Sequence, residues 1–294
     1  MENPLIALSN ELAALAERAG PGVVAVHGRP RIPSSGILWR SGVVVTADHA
    51  LRREEELRVT LPDGSTVAAE LAGRDPSTDL AVLRLQAKAP EWGMQATPAC
   101  GHLVLAVGRS ADTGINAAMG VVSSVSGPWH TWRGGKVDQF LRLDVGLYPG
   151  SSGGAVVDAQ GRLLGLATSG LSRTSIIAVP SITIARVVDE LLDKGHVARG
   201  YLGVGLQPIT LAEPHKGGLI VLSVEPDGPS AQAGLVLGDI VVAVDGKSIP
   251  RIEDLQEALG AGSASKRLKV ALLRGGQPLD LTITIGERPR RRGA

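Results

Sequence analysis

The sequence predicts a mainly β protein: an amino-terminal domain of antiparallel strands, in barrels or sandwiches, followed by a smaller α+β domain. Three observations carry that expectation. About a dozen short β-type runs succeed one another between Val23 and Pro180 with turns and no helix between them, which suits antiparallel sheets and not a parallel sheet with crossover helices. Aromatic residues are only 2% of the chain against 44% hydrophobic, so the core rests on Val, Leu, Ile and Ala, whose branched members favour strands. The 38 glycines supply the tight turns such a fold needs. A length of 294 residues accommodates two domains.

Taken in order, Met1 to Gly20 sets Leu5, Leu8, Leu12 and Leu15 at helical spacing, and the segment also carries Glu2, Glu11, Glu17 and Arg18. This predicts an amphipathic helix whose apolar stripe packs on the body or on another subunit. Its acidic residues argue against an export signal. No apolar run approaches the ~20 residues of a membrane span, and with no export signal seen the chain as written reads as cytoplasmic. The β-type runs then begin, among them Val23–Val26, Gly36–Trp39, Gly42–Thr46, Leu80–Leu85, Leu103–Val107 and Leu163–Ala167, with Pro62-Asp63-Gly64-Ser65 as a turn between two others. Ser181 opens a helix with Ile184, Val187, Val188, Leu191 and Leu192 on one face and Gly195 where a left-handed end residue belongs.

The texture changes between His196 and Arg199, which divides the chain into 1–197, 198–288 and a basic tail, 289–294. The second domain reads as strands over Leu202–Leu206, Leu219–Val224 and Ile240–Val244, a helical turn at Ser230–Ala233, and a helix with Pro250 at its first position before Ile252, Leu255 and Leu259. A terminal hairpin turns at Gly275-Gly276.

Charge excludes some functions. The formal net charge is +1, so no global field draws the chain to nucleic acid or to an anionic membrane. The arginines between Arg288 and Arg292 read as a solvated terminus, leaving nucleic-acid binding with no other support. Cys100 is the single cysteine; it forms no intrachain disulfide and is expected as a small buried hydrophobe. Neither a metal nor an organic cofactor is expected.

The chemistry concentrates at Gly150-Ser151-Ser152-Gly153-Gly154. A serine hydroxyl becomes a nucleophile when a base takes its proton and donors stabilise the oxyanion that results. Flanking glycines let the backbone turn so that adjacent amides converge on a substrate carbonyl. Ser152 is therefore assigned as nucleophile, with the amides of Gly150 and Ser152 as oxyanion donors. His49 follows the strand ending at Thr46, and Asp79 opens another at Leu80, which makes them the base and its orienting carboxylate. Asp75 is a rival for the second role, whereas Asp48 stands too close in sequence to fold back on the ring. His27, His102, His130, His196 and His215 read as surface or packing residues. Gly150-x-Ser152-x-Gly154 also fits a nucleophile elbow, but that requires a following helix and a later histidine. Here more β runs follow, and the order is His, Asp, Ser, as in chymotrypsin-like enzymes.

With these residues in view, the chain resembles the HtrA/Deg family of trypsin-like serine proteases. The matching stretches include Gly42–His49, Asp75–Leu83, Leu143-Asp144 with Tyr148–Gly154, Ala178–Ser181, Arg199–Val204 and Gly228–Leu235, in the family's order over nearly the whole chain. The resemblance implies two β-barrels with the triad in the cleft between them, one carboxy-terminal PDZ domain, and ATP-independent cleavage of unfolded or damaged proteins. It also implies a homotrimer built through amino-terminal segments and a periplasmic or envelope location. The sequence departs from the pattern at Ser151, where the family has Asn, at Ala47-Asp48, which replace an asparagine-rich run, and at Arg109–Asp112, which replace an Asn-Pro-Phe-Gly-like segment.

Gly146 stands six residues before Ser152, where enzymes that cut after basic residues place an aspartate. With Ile176 and Ile177 as an apolar wall, it predicts cleavage after small or aliphatic residues, at the modest stringency of apolar pockets. In the second domain Tyr201-Leu202-Gly203-Val204 resembles the PDZ loop whose amides hold a peptide's terminal carboxylate. The peptide would add as a strand beside Val204–Leu206, against Leu255 and Leu259. The competing reading is a catalytically silent protease fold acting as chaperone or scaffold through its PDZ domain.

Overall fold

A computed structural model describes residues 3–93, 97–197, 200–213, 217–260, 263 and 265–287. Glu2, Arg199, His215 and the basic tail lie outside the described residues. The chain clusters into two compact units, Met1–Val197 and Ala198–Ala294.

The first unit opens with helix α1 (Pro4–Ala19), capped by the Asn3 side chain, which accepts from the Leu5 amide. Its stripe is only half used. Leu15 and Ala19 are buried and Leu12 packs beside them, while Leu5, Ile6 and Leu8 remain exposed. Strands β1 (Val23–His27), β2 (Ser34–Arg40), β3 (Val43–Ala47), β4 (Leu57–Thr60), β5 (Thr66–Asp75) and β6 (Leu80–Arg84) close into a barrel in the order β1-β2-β3-β6-β5-β4. Strands β7 (Leu103–Ser110) and β8 (Gly114–Ser126) are followed by a small hairpin of β9 (Trp129–His130) and β10 (Lys136–Val137). With β11 (Phe140–Asp144), β12 (Ala155–Asp158), β13 (Leu163–Thr168) and β14 (Ile176–Pro180), the first two close a second antiparallel barrel, β11-β14-β13-β12-β7-β8. Helix α2 (Ser181–Lys194) follows and ends at Gly195 with φ +74°.

The continuous apolar runs of the sequence are explained by burial on both faces of a strand, since successive side chains alternate sides. In β3, Val44 joins one cluster with Val24, Val26, Leu38 and Leu83 of the first barrel. Its neighbours Val43, Val45 and Ala47 join another that links both barrels with α1 and α2. The second barrel repeats the division: Val156 packs with Val104, Leu141 and Ala178, whereas Ala155 and Val157 face the shared cluster. Burying a side chain of this size contributes about 1.5–3 kcal/mol, so the barrels are held together by the same strands that form them.

The second unit holds β15 (Gly200–Tyr201), β16 (Val204–Ile209), β17 (Gly218–Val224), α3 (Pro229–Gln232), β18 (Ile240–Val244), β19 (Lys247–Ser248), α4 (Ile252–Ala258), β20 (Arg267–Arg274), β21 (Gln277–Thr284) and β22 (Gly286–Glu287). The main sheet runs β16-β17-β18-β20-β21, which leaves one side of β16 as a sheet edge. Leu219, Val241, Leu255, Leu268, Val270 and Ile283 are among its buried core.

Three expectations are corrected. Cys100 is exposed, its thiol 3.4 Å from the Ser123 carbonyl oxygen, because it sits in the turn before β7 and not within a strand. The strand expected over Leu202–Leu206 is broken at Leu202-Gly203, where Gly203 takes φ +71°. Pro250 lies outside α4. Arg251 is the cap there, its backbone and guanidinium held by Asp254 at the third helical position.

Candidate active site

Asp79 organises the first half of the site. It follows Thr78 at the turn into β6 and takes φ +58°, a left-handed conformation that aspartate tolerates better than most residues. From there its carbonyl accepts the Asp48 amide at 3.1 Å, and its Oδ1 accepts the His49 amide at 2.9 Å. The same carboxylate meets the imidazole, with His49 Nδ1 at 2.8 Å from Oδ2 and 3.0 Å from Oδ1. Asp79 is buried, with its side chain 3% exposed, while the His49 ring is 33% exposed. A carboxylate only accepts hydrogen bonds, so Nδ1 carries the proton and Nε2 is left as the basic nitrogen.

The turn bearing His49 (Asp48–Ala50) is clamped from behind. Arg74 Nε donates to Asp48 Oδ1 at 2.6 Å, and its Nη2 donates to the Asp48 and Leu51 carbonyls at 3.2 and 3.0 Å. Burial pushes the Asp48 carboxyl above its ordinary value, and the Arg74 guanidinium opposes that rise. Asp48 thus folds away from the neighbouring ring. Asp75, the rival for the orienting role, spends its carboxylate on the Ser77 and Thr78 hydroxyls that shape the turn before Asp79.

Ser152 comes from the loop between β11 and β12, on the other barrel. Its loop is pinned to the first barrel through Ser35 of β2: the Ser35 amide donates to the Ser152 carbonyl at 3.1 Å, and the Ser35 hydroxyl to the Gly150 carbonyl at 2.9 Å. Thr46 in turn donates to the Ser35 carbonyl at 2.6 Å. Gly150 and Gly153 have φ of +93° and +92°, and a β-carbon on Gly153 would lie 2.1 Å from the Ser35 oxygen. Those two positions therefore require glycine. Ser151, where a resemblance to known proteases leads one to expect Asn, is buried and donates its hydroxyl to Asn116 Oδ1 at 2.8 Å. Among the described residues, the amides of Gly150 and Ser152 donate to no protein acceptor, whereas those of Ser151, Gly153 and Gly154 are all used.

The two halves meet on three consecutive residues at the end of β13. Thr168 donates its hydroxyl to Asp79 Oδ2. Ser169 Oγ lies 3.2 Å from Ser152 Oγ, and the Ser169 amide 3.4 Å from the same atom. Gly170 lies against the pair, since a β-carbon there would stand 2.5 Å from Asp79 Oδ2 and 2.6 Å from His49 Nδ1. No hydrogen bond among the described residues joins Ser152 to His49. Thr168, Ser169, Gly170, Ser35 and Arg74 are not recognisable from sequence as site residues; only their partners in space distinguish them from ordinary strand and turn positions.

Beside the site runs a groove of about 1130 Å³, lined by residues that include Trp132, Asp144, Val145, Ser169, Gly170, Arg173 and Ile176. Ile176 lies in its wall. Ile177 is not: strand alternation turns it inward, 2% exposed, into the cluster shared by the barrels and α2. Gly146 is exposed, with open space where a β-carbon would stand. The groove is also more polar than the apolar wall of the sequence reading, carrying Arg142, Asp144 and Arg173. Arg109, in the segment that departs from the protease pattern, donates to the Val23 and Gly20 carbonyls at 2.6 and 2.9 Å and so ties β7 to the start of the first barrel.

In the second unit, Leu202 is buried and the Gly203 carbonyl accepts the Glu225 amide at 2.8 Å. The Tyr201 hydroxyl donates to Glu225 Oε2. Among the described residues the amides of Leu202 and Gly203 find no acceptor. They precede the open edge of β16, and α4 lies beside that strand. Leu255 is buried in the core and Leu259 packs partly against it.

Two closed six-stranded barrels, with an imidazole–carboxylate pair on one and a serine loop on the other, define a trypsin-like peptidase domain, here joined to a PDZ domain. Residues 34–166 match the family model of the trypsin-like peptidase domain and residues 200–285 that of the PDZ domain. The serine endoprotease DegS of Escherichia coli is 30% identical over 305 residues, covering 92% of this chain and 84% of that protein. The chain belongs to the HtrA/Deg family of serine proteases. A probable periplasmic serine endoprotease, DegP-like, of Brucella suis is 32% identical over 284 residues, or 91% of this chain and 55% of the relative. The chain thus spans about half the length of such curated relatives. Among solved structures, a serine endoprotease from Yersinia pestis superposes with a TM-score of 0.77 at 30% identity, covering 95% of this chain and 98% of the other. The HtrA-type protease AlgW with a decapeptide does so at 0.77 and 27% identity, covering 95% and 99%.

Proposed function

We propose that the protein is a serine endopeptidase in which His49, Asp79 and Ser152 form the catalytic triad. The observation that carries the reading is the convergence of Asp79, His49 and Ser152 on Thr168-Ser169-Gly170. In the proposed cycle Ser152 Oγ gives its proton to His49 Nε2 and attacks the scissile carbonyl carbon. The carbonyl oxygen becomes an oxyanion held by the Gly150 and Ser152 amides, which have no protein acceptor of their own. His49, now an imidazolium stabilised by Asp79, returns the proton to the leaving amine, and water then hydrolyses the acyl-enzyme by the reverse sequence.

Substrates are unfolded or damaged proteins, cleaved without ATP after small or aliphatic residues. Gly146 offers no carboxylate to a basic side chain, and Ile176 supplies apolar wall. The PDZ domain takes peptide carboxy-termini, the terminal carboxylate on the Leu202 and Gly203 amides and the peptide strand along β16, between it and α4. The exposed Leu5, Ile6 and Leu8 of α1 support assembly into a homotrimer, and the periplasmic naming of the relatives supports an envelope location. Among the described residues no helix is long and apolar enough to cross a membrane.

The test is casein digestion by the wild type and by Ser152→Ala, with a fluorophosphonate probe as a second readout. Activity and labelling that both disappear in the variant are expected; equal digestion by the two proteins overturns the assignment. The absence of a Ser152–His49 hydrogen bond favours one second reading, a silent scaffold working through its PDZ domain. Probe labelling at Ser152 rules it out.

A further inference from the structure

We propose that Ser169 is a positioning residue that holds the Ser152 hydroxyl away from His49 in the resting protein. The inference rests on the reading of Ser152 as nucleophile and deepens it.

Among the described residues Ser152 Oγ has two hydrogen-bond partners, and both belong to Ser169: the hydroxyl at 3.2 Å and the backbone amide at 3.4 Å. Among the described residues the Ser169 hydroxyl has no other polar partner, and the residue is exposed. Neither core packing nor a turn therefore accounts for a hydroxyl at this position. Thr168 and Gly170 on either side are committed to the other half of the site, through the Asp79 carboxylate and the face of the imidazole–carboxylate pair. Ser169 is fixed between them and aims at the one remaining group.

The consequence follows from the geometry of a hydroxyl. Ser152 Oγ carries a single proton, and transfer to an imidazole needs that proton on the Oγ–Nε2 line at hydrogen-bond distance. While Oγ is engaged with Ser169, no such bond to His49 is present. Acylation must first turn the Ser152 side chain from Ser169 to His49, breaking one neutral hydrogen bond that the attacking state does not regain. A net neutral bond of this kind is worth about three- to tenfold in an equilibrium, and that factor slows the formation of the attacking rotamer. The Ser169 amide remains in every variant, so only the hydroxyl's share is open to substitution.

Ser169→Thr keeps the hydroxyl and Ser169→Val replaces it with a methyl of similar shape, so the pair isolates the hydrogen bond from packing. The measured quantity is the second-order rate of labelling by a small fluorophosphonate, alongside kcat and KM on a chromogenic peptide and thermal melting. The Val variant is expected to label about three- to tenfold faster than the Thr variant, with kcat raised by a similar factor, KM unchanged and the same melting temperature. The Thr variant, which keeps the hydroxyl, is the reference for the comparison. Equal rates for Val and Thr, or a slower Val variant, overturn the inference. Ser152→Ala separates the two levels of the argument. If it labels like the wild type, the nucleophile assignment itself fails. If it does not label while Val and Thr agree, only the role of Ser169 fails.

Discussion

Gly170 offers a sharp test of how the imidazole–carboxylate pair is held. A methyl placed there would begin 2.5 Å from Asp79 Oδ2 and 2.6 Å from His49 Nδ1, against the 3.0 Å below which side-chain carbons essentially never approach another atom. Both groups must retreat by about 0.5 Å or more, and neither has an easy route. Asp79 is buried and bound to the His49 amide and to Thr168, while His49 is bound to Asp79. Misplacement of a reacting group by about 1 Å costs on the order of 100-fold in rate. For Gly170→Ala we therefore expect a 10- to 100-fold fall in kcat/KM, about 1.4–2.7 kcal/mol in transition-state stabilisation. Steady-state cleavage of a chromogenic peptide measures it, with circular dichroism to show an intact fold. Gly127→Ala is the matched control, because a β-carbon there meets nothing within 4 Å, and its activity should be that of the wild type. A Gly170→Ala enzyme within threefold of the wild type would refute the packing argument.

Thr168→Val removes the hydroxyl that donates to buried Asp79 without changing side-chain shape; kcat on a chromogenic peptide should fall about tenfold, and a rate equal to the wild type's would count against the contact. Arg74→Gln leaves the Asp48 carboxylate buried without its cation, and chemical denaturation should show a loss of about 3 kcal/mol that Asp48→Asn in the same chain largely restores. In the second domain the hydrogen bonds from Arg274 hold the Asp239 carboxyl below its ordinary value of 3.8. Between the lowered value and 3.8 the unfolded chain binds more protons than the folded one, so this contribution is fully present above pH 3.8 and is lost as pH falls through the folded value. Asp239→Asn should therefore lower the melting temperature at pH 7, and the gap from wild type should shrink in acid; a constant gap would count against the pair.

The sequence alone determined the local features whose cause is local. The antiparallel succession of strands, the helix ending at Gly195, the hairpin at Gly275-Gly276 and the serine loop all follow from periodicity and from turn chemistry between neighbouring residues. The chain order His49, Asp79, Ser152 was enough to choose between two folds that share the Gly-x-Ser-x-Gly pattern. Where the structure differs the cause is local too: propensity favours Pro250 in the helix and Leu202 in the strand, and Cys is usually buried, but in each case a turn falls there instead.

Tertiary structure decided what depends on distance through space. Sequence adjacency groups Ile177 with Ile176, but the two-residue repeat of a strand sends adjacent side chains to opposite faces, and only the closed barrel says which face is core. Thr168, Ser169, Gly170 and Ser35 are unremarkable in sequence, being small polar or achiral residues in strands and turns. They become part of the site because closing two barrels against a common apolar cluster brings the end of β13 between a carboxylate 89 residues away and a hydroxyl 17 residues away. Sequence spacing carries no record of that approach, since the barrel closure that produces it is a property of the whole set of strands and of no single one.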